Sequence, residues 1–139
     1  MTGIEKILIN ASAARRSLNV LSPETINSIL EKLSEETVKR MDFILSENAR
    51  DLARMDKDNP LYDRLLLDED RIRAISSDIM KVAAMESPLG HVLSEYTRTD
   101  GLRINRISVP FGVVGIIYEA RPNVTFDVFS LCLKSGNVC

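Results

Sequence analysis

The sequence has few cysteines and no long apolar run, and each shortage excludes a class of protein. The 139 residues include two cysteines, Cys132 and Cys139. Two are too few for a disulfide framework, and no CxxC pair or Cys/His cluster predicts a metal site. No apolar stretch approaches the length of a membrane span, and the opening residues MTGIEKILIN lack the pattern of a secretory signal. We therefore expect a protein of the reducing cytoplasm that spans no membrane and binds no metal.

Charge of one sign is not concentrated anywhere in the chain. The 18 Lys and Arg residues and the 20 Asp and Glu residues are interleaved and give a net charge of −2. Nucleic acids and anionic membranes both require a concentrated basic face, so neither is expected as a partner. A composition that is 45% hydrophobic and 27% charged is typical of a globular domain with a core.

Residues 1–91 carry apolar residues at helical spacing and are predicted to form an N-terminal helical region. Ser22-Pro23 predicts a helix start, because Ser22 can accept a hydrogen bond from a free amide and proline suits the first helical position. Ser34-Glu35-Glu36 predicts a break in the long helical series that follows. Asp68 predicts another helix start. One apolar face is predicted beyond it, formed by Ile72, Ile75, Ile79, Val82 and Ala83.

Residues 92–109 are predicted to form a β-hairpin. Val92–Arg98 and Leu102–Val109 have the composition of strands, and Asp100-Gly101 between them is typical of a tight hairpin turn.

Residues 110–139 are predicted to open a cofactor-binding domain. The apolar run Val113–Tyr118 favours a strand buried on both faces, as in a parallel sheet. A helical series over Val124–Lys134 follows and ends at Gly136, and a second parallel strand is expected near Val138. The fold class is therefore α/β, with an incomplete βαβ unit at the end of the sequence.

Two residues after the predicted strand are candidates for a site. Arg121 lies where α/β sheets place their ligands and could bind a phosphate or carboxylate in a forked geometry. It could equally pair with Glu119. Asn123 directly precedes the predicted helix, and an N-cap role is the simpler interpretation of its position. Tyr118 could line a pocket or serve only in packing.

Other residues favour structural roles. Gly112 and Gly115 are spaced as GxxG within the strand, which is not a dinucleotide fingerprint and is better explained by tight packing. Cys132 lies on an apolar helix and is interpreted as a small buried hydrophobe, whereas Cys139 is expected to be exposed and inert. His91 has no cysteine or acid at ligand spacing.

The segment from Val109 to Cys139, VPFGVVGIIYEARPNVTFDVFSLCLKSGNVC, closely resembles the glutamyl-phosphate reductase family of the aldehyde dehydrogenase superfamily. Glu47–Leu52, Leu61–Leu65 and Asp100–Arg103 resemble the same family. The resemblance covers essentially the whole chain and implies an aldehyde-dehydrogenase-like fold, of which this sequence is the N-terminal portion. It also implies that the hairpin serves in homo-oligomerisation.

The resemblance implies an oxidoreductase of proline biosynthesis that uses NADPH to convert L-glutamyl 5-phosphate to glutamate 5-semialdehyde and phosphate. A cysteine thiolate would attack the acyl phosphate to form a thioester, and hydride would then come from NADPH. Asn123 would donate to the oxyanion. The family's nucleophilic cysteine lies further along than this sequence reaches, and no residue here is assigned to the cofactor. The alternative is therefore a catalytically inactive, self-associating fragment.

Overall fold

The structure is a computed structural model that describes residues 3–119 and 121–139. Within these residues the helices are α1 (Gly3–Leu18), α2 (Pro23–Lys39), α3 (Met41–Leu52), α4 (Tyr62–Leu65), α5 (Glu69–Ala84) and α6 (Pro122–Lys134). The strands are β1 (Val92–Thr97) and β2 (Arg103–Ile107). Helices followed by a hairpin and a further helix fit the predicted incomplete α/β domain.

The predicted helix starts at Ser22 and Asp68 are confirmed. The Ser22 hydroxyl accepts from the backbone amide of Thr25 at 3.2 Å, with Pro23 as the first helical residue. The Asp68 carboxylate accepts from the amide of Arg71 at 2.7 Å. Each cap satisfies an amide that has no partner within its helix, so these two boundaries follow from local chemistry alone.

The predicted break in the long helical series is present, but it lies at Arg40, between the end of α2 at Lys39 and the start of α3 at Met41, and not at Ser34–Glu36. Ser34 does not cap a helix. It is buried inside α2, and its hydroxyl donates to the backbone carbonyl of Ser76 on α5 at 3.0 Å. The polar side chain that suggested a helix end therefore serves to join two helices.

The core forms where α2, α5 and α6 pack against one another. All five residues predicted on the apolar face of α5 are buried. Four of them, Ile75, Ile79, Val82 and Ala83, cluster with Ile26 and Leu30 of α2 and Leu133 of α6. Full burial of a large aliphatic side chain contributes about 1.5–3 kcal/mol, so this cluster holds α2 together with α5 and α6, the two helices that line the candidate site.

The predicted hairpin is confirmed with slightly shorter strands. β1 and β2 pair antiparallel, with a register irregularity between Val92 and Ser94. Gly101 adopts a φ of 87° in the turn, a conformation that favours glycine. The hairpin side chains are mostly exposed, so this element contributes little to the core of the single chain.

The prediction of a doubly buried strand over Val113–Tyr118 is wrong within the described residues. A single parallel bridge joins Val113 to Val138, with the amide of Val114 donating to the carbonyl of Val138 at 2.7 Å. The rest of the run is extended, and Ile117 is fully exposed. An apolar strand is buried only when neighbouring strands and helices cover it. Here a single residue, Val138, pairs with the run as a parallel neighbour.

Helix α1 forms as predicted, yet it has no buried residue and exposes Ile4, Ile7 and Leu8. None of the helices in the described ranges is long and apolar enough to cross a membrane. The division of the chain into units at residues 91 and 109 stays a prediction.

Candidate active site

A cleft of about 350 Å³ lies between the start of α6, helix α5 and the segment of residues 61–68. Arg121 and Asn123, the two candidates from the sequence, both line this cleft. The other charged residues that line it are Asp63, Arg64, Arg71, Asp78 and Asp127. The fold therefore brings the two candidates together and surrounds them with charges of both signs.

The interpretation of Asn123 as the N-cap is wrong, because α6 begins one residue earlier. Pro122 is the first helical residue and Arg121 occupies the cap position without a side-chain cap bond. Asn123 lies in the first turn, where its Nδ2 donates to Oδ2 of Asp127 at 3.4 Å. The amide carries two N–H donors, so one of them stays available to another acceptor in the cleft.

Arg121 is exposed at the N-terminal end of α6. The alternative in which it pairs with Glu119 is not realised, since no carboxylate in the described ranges lies within ion-pair distance of its guanidinium. An arginine at this position can present its planar fork to an anion that enters the cleft.

Asp127 lies one helical turn after Asn123 and is half-buried. Burial raises the pKa of its carboxyl, the negative charge of Asp78 raises it further, and the hydrogen bond from Asn123 acts in the opposite direction. The charged form of Asp127 is therefore disfavoured, and a bound cation or hydrogen-bond donor would stabilise it. The sequence reasoning missed Asp127, although its spacing of four from Asn123 places it on the same helix face.

The segment of residues 61–68 forms one wall of the cleft and is held from two sides. The buried Asn48 of α3 donates to the carbonyl of Leu65 and accepts from the amide of Leu67, both at 2.8 Å. This paired bonding resembles one rung of a β-ladder, and it fixes the backbone at the end of α4 and just beyond it.

Arg71 holds the same segment from within the cleft. Its guanidinium donates to the carbonyls of Asp63 at 2.6 Å and Leu66 at 2.7 Å, and to the Asp63 carboxylate at 2.7 Å. These three hydrogen bonds indicate that the Arg71 guanidinium holds the wall of the cleft rather than binding a ligand.

The remaining residues from the sequence lie outside the cleft. Tyr118 shares a hydrogen bond of 2.6 Å with the hydroxyl of Thr125. At Gly112 a Cβ would lie 3.1 Å from the Arg15 side chain, and the backbone φ of 115° itself favours glycine. At Gly115 the packing interpretation is wrong, because a Cβ would meet nothing within 4 Å. His91 Nε2 lies 3.4 Å from Glu86.

The two thiols have different environments. Cys132 is partly buried and Cys139 is exposed. Burial raises the pKa of the Cys132 thiol, with a further contribution from Cys139, so Cys132 is a poor nucleophile at neutral pH. Among the residues that the structure describes, no three His, Cys, Asp or Glu side chains group as metal ligands.

Comparison with known proteins gives a consistent result. No family model matches the chain. The gamma-glutamyl phosphate reductase of Bacteroides thetaiotaomicron is 55% identical over 99% of this chain and 33% of its own length. Two crystal structures of gamma-glutamyl phosphate reductases have the same fold. The Thermotoga maritima structure has a TM-score of 0.86 and 36% identity over 91% of this chain and 31% of its own.

The Saccharomyces cerevisiae structure has a TM-score of 0.90 and 31% identity over 99% of this chain and 36% of its own. The chain thus spans about a third of the length of the relatives it matches. Identity of this level over nearly the whole chain, together with the shared fold, confirms the resemblance found in the sequence. The chain is therefore similar to the gamma-glutamyl phosphate reductases over about a third of their length.

Proposed function

We propose that this chain contributes the oxyanion side of the active site to an NADPH-dependent reductase that converts L-glutamyl 5-phosphate to glutamate 5-semialdehyde and phosphate. The observation that carries the proposal is the position of Asn123, which lines the cleft beside Arg121 with a side-chain amide directed by Asp127. The names of the matched relatives support the choice of reaction.

Asn123 has the chemistry that this step requires. When a nucleophile adds to the acyl carbon of glutamyl phosphate, negative charge develops on the carbonyl oxygen. A neutral amide held in place donates to that oxygen without being titrated, and removing such a donor typically raises the barrier by about 3–4 kcal/mol. The contact with Asp127 would limit rotation of the amide, so less reorganisation is needed as the charge forms.

Arg121 is proposed to bind the phosphate group of the substrate. Its fork has no carboxylate partner among the described residues, and it lies beside Asn123 in the same cleft. A guanidinium at this position would neutralise charge on the leaving phosphate as the acyl–oxygen bond breaks.

NADPH would supply the hydride in this reaction. The sequence contains no GxGxxG motif, and the described glycines form no cradle of that type between a strand and a helix. The residues present therefore do not account for dinucleotide binding, and we assign none of them to the cofactor.

A chimera tests the reaction. This chain replaces the corresponding third of the Bacteroides thetaiotaomicron reductase, and the phosphate-dependent oxidation of glutamate 5-semialdehyde with NADP is measured. We expect activity in the chimera and a kcat about 10²- to 10³-fold lower in Asn123→Ala. Asn10→Ala, an exposed asparagine on α1, is the matched control. An active Asn123→Ala chimera, or a folded chimera with no activity, would contradict the proposal.

A second candidate is that the chain alone is catalytically inactive and self-associates. The extended run after Val114 favours this, since Ile117 is fully exposed and the backbone there has no strand partner among the described residues. Such edges invite strand pairing. We expect a dimer or larger oligomer by light scattering at micromolar concentration and a monomer for Ile117→Lys. A monomeric parent chain would count against this candidate.

A further inference from the structure

A second, smaller cleft of about 220 Å³ lies between α5 and α6 and shares two residues with the candidate active site. Asp78 and Asp127 line both clefts. The smaller one is otherwise lined by Ser130 and by apolar side chains of Ile79, Val82 and Leu131. The two carboxylates therefore lie where one cleft passes into the other.

The buried side chain of Ser130 is a second, independent observation that points to a ligand in the smaller cleft. Its side chain is 1% exposed, and its hydroxyl oxygen has no hydrogen-bond partner within the described ranges. A buried hydroxyl without a partner is costly and uncommon in a folded protein. Ser130 lines the same cleft as two carboxylates, so the local need is for a ligand with several hydrogen-bond donors.

A primary ammonium group meets that need. It carries one positive charge and three N–H donors, which match the three oxygen-bearing side chains of Asp78, Asp127 and Ser130. Asp78 also pairs with Lys81 at 2.7 Å, but both side chains are more than half exposed, so this pair is weak. The Lys81 contact uses one oxygen of Asp78, and the other oxygen remains able to accept.

The distance along α6 matches a glutamyl group. Asp127 follows Asn123 by four residues, a rise of about 6 Å along a helix. In an extended glutamyl chain the acyl carbon and the α-nitrogen are four bonds apart, about 5 Å from standard bond lengths. A substrate whose acyl oxygen meets Asn123 can therefore place its ammonium group at Asp127 and Ser130.

We propose that Asp78, Asp127 and Ser130 bind the α-ammonium group of the glutamyl substrate and so select an amino acid derivative over a simple acyl phosphate. This inference rests on the proposed function for the identity of the substrate. The ammonium site itself rests on the three side chains.

The test is a binding titration of the chain by NMR with four probes. Methylammonium chloride represents the ammonium group alone, and sodium chloride at equal ionic strength represents a nonspecific cation. L-Glutamate and glutarate differ only in the α-amino group. We expect methylammonium and L-glutamate, but not sodium or glutarate, to shift the signals of Asp127 and Ser130.

Variants complete the design. Asp127→Asn keeps the shape of the side chain and should weaken methylammonium and L-glutamate binding about 10- to 100-fold, the value of a charge-assisted hydrogen bond. Ser130→Ala should weaken it by a smaller factor, and Asp70→Asn, an exposed acid on α5, should not change it. Circular dichroism verifies that each variant folds.

Equal shifts with sodium, or full binding by Asp127→Asn, would overturn the ammonium site. Binding of methylammonium without preference for L-glutamate over glutarate would overturn the assignment to the glutamyl group. Failure of the proposed reaction is seen separately, as loss of turnover in the chimera, and does not depend on these titrations.

Discussion

The hydroxyls of Ser34 and Ser76 lie 2.7 Å apart across the interface of α2 and α5, and each oxygen also lies within hydrogen-bond distance of the other residue's backbone carbonyl, at 3.0 and 3.3 Å. The two hydroxyl protons are shared among these three contacts. The two residues are 42 positions apart. This reciprocal contact lies between the two helices that carry most of the core and fixes their alignment.

Removing one serine of this pair should cost more than the lost hydrogen bond is worth. Ser34→Ala or Ser76→Ala leaves the partner without its side-chain contact in a partly buried place, so we expect each to lower the free energy of unfolding by about 1–2 kcal/mol. Urea denaturation of both single variants and of the double variant measures the coupling.

The double variant should lose at least about 0.5 kcal/mol less than the sum of the two single losses. Strict additivity would mean that the two hydroxyls act independently, contrary to their geometry.

Asn48→Ala should loosen the wall of the candidate active site. The substitution leaves the buried amide of Leu67 and the carbonyl of Leu65 without partners, at a cost of about 2–3 kcal/mol. We expect faster hydrogen exchange at the Leu67 amide, and lower stability in urea. Asn105→Ala on the exposed face of β2 is the control, and protection of Leu67 that survives Asn48→Ala would contradict the expected role.

Lys134 joins three helices through its ammonium group. Its Nζ donates to Oδ1 of Asn27 on α2 at 2.6 Å and to the carbonyl of Ala83 on α5 at 2.8 Å. Burial lowers the pKa of this amine. Lys134→Met removes both bonds and should lower the free energy of unfolding by about 2–3 kcal/mol.

The matched control is Lys39→Met, which removes an exposed ion pair with Glu36 and should change stability by less than about 1 kcal/mol. Equal effects of the two substitutions would show that Lys134 contributes no more than a surface lysine does.

Asp127 should make stability depend on pH. Burial and Asp78 raise its pKa in the folded chain, so the folded state binds a proton more tightly than the unfolded state. Its contribution is present in full below about pH 3.9, the ordinary value for aspartate, and is lost as the pH rises through the raised pKa. Other charged groups that line the cleft are Asp63, Arg64, Arg71 and Arg121.

Asp127→Asn lacks this titration. We therefore expect the variant to gain stability relative to the parent chain as the pH increases from 4 to 7, measured by denaturation at each pH. Asp70→Asn should show no such trend. A difference between parent and Asp127→Asn that stays constant over this range would mean that the carboxyl is not perturbed.

Several features could be predicted because their causes lie within a few residues. The caps at Ser22 and Asp68 each satisfy an amide three residues later, and the turn at Gly101 depends on its own backbone. The apolar face of α5 follows from helical spacing, so its burial was predictable without knowing its partner helices.

Other features depend on neighbours that the sequence does not place. Ser34 has the residue type of a helix cap. It forms an interhelical contact because folding brings its hydroxyl to 2.7 Å from that of Ser76, which lies 42 positions away in the chain. Val113–Tyr118 has the composition of a buried strand, but burial requires strands on both sides. Composition therefore indicates which structures a segment can adopt, and the neighbouring elements determine whether it is buried.

The sequence by itself determined the helices, the hairpin turn and the family, because capping, periodicity and a distinctive motif around Asn123 are local properties of the chain. Tertiary structure alone decided that Asp78, Asp127 and Ser130 line the same cleft and that Arg71 hydrogen-bonds to the cleft wall. The first relation exists only where α5 and α6 meet, and the second only where α5 lies beside residues 61–68. Side chains on separate elements become neighbours through packing of the apolar faces beneath them.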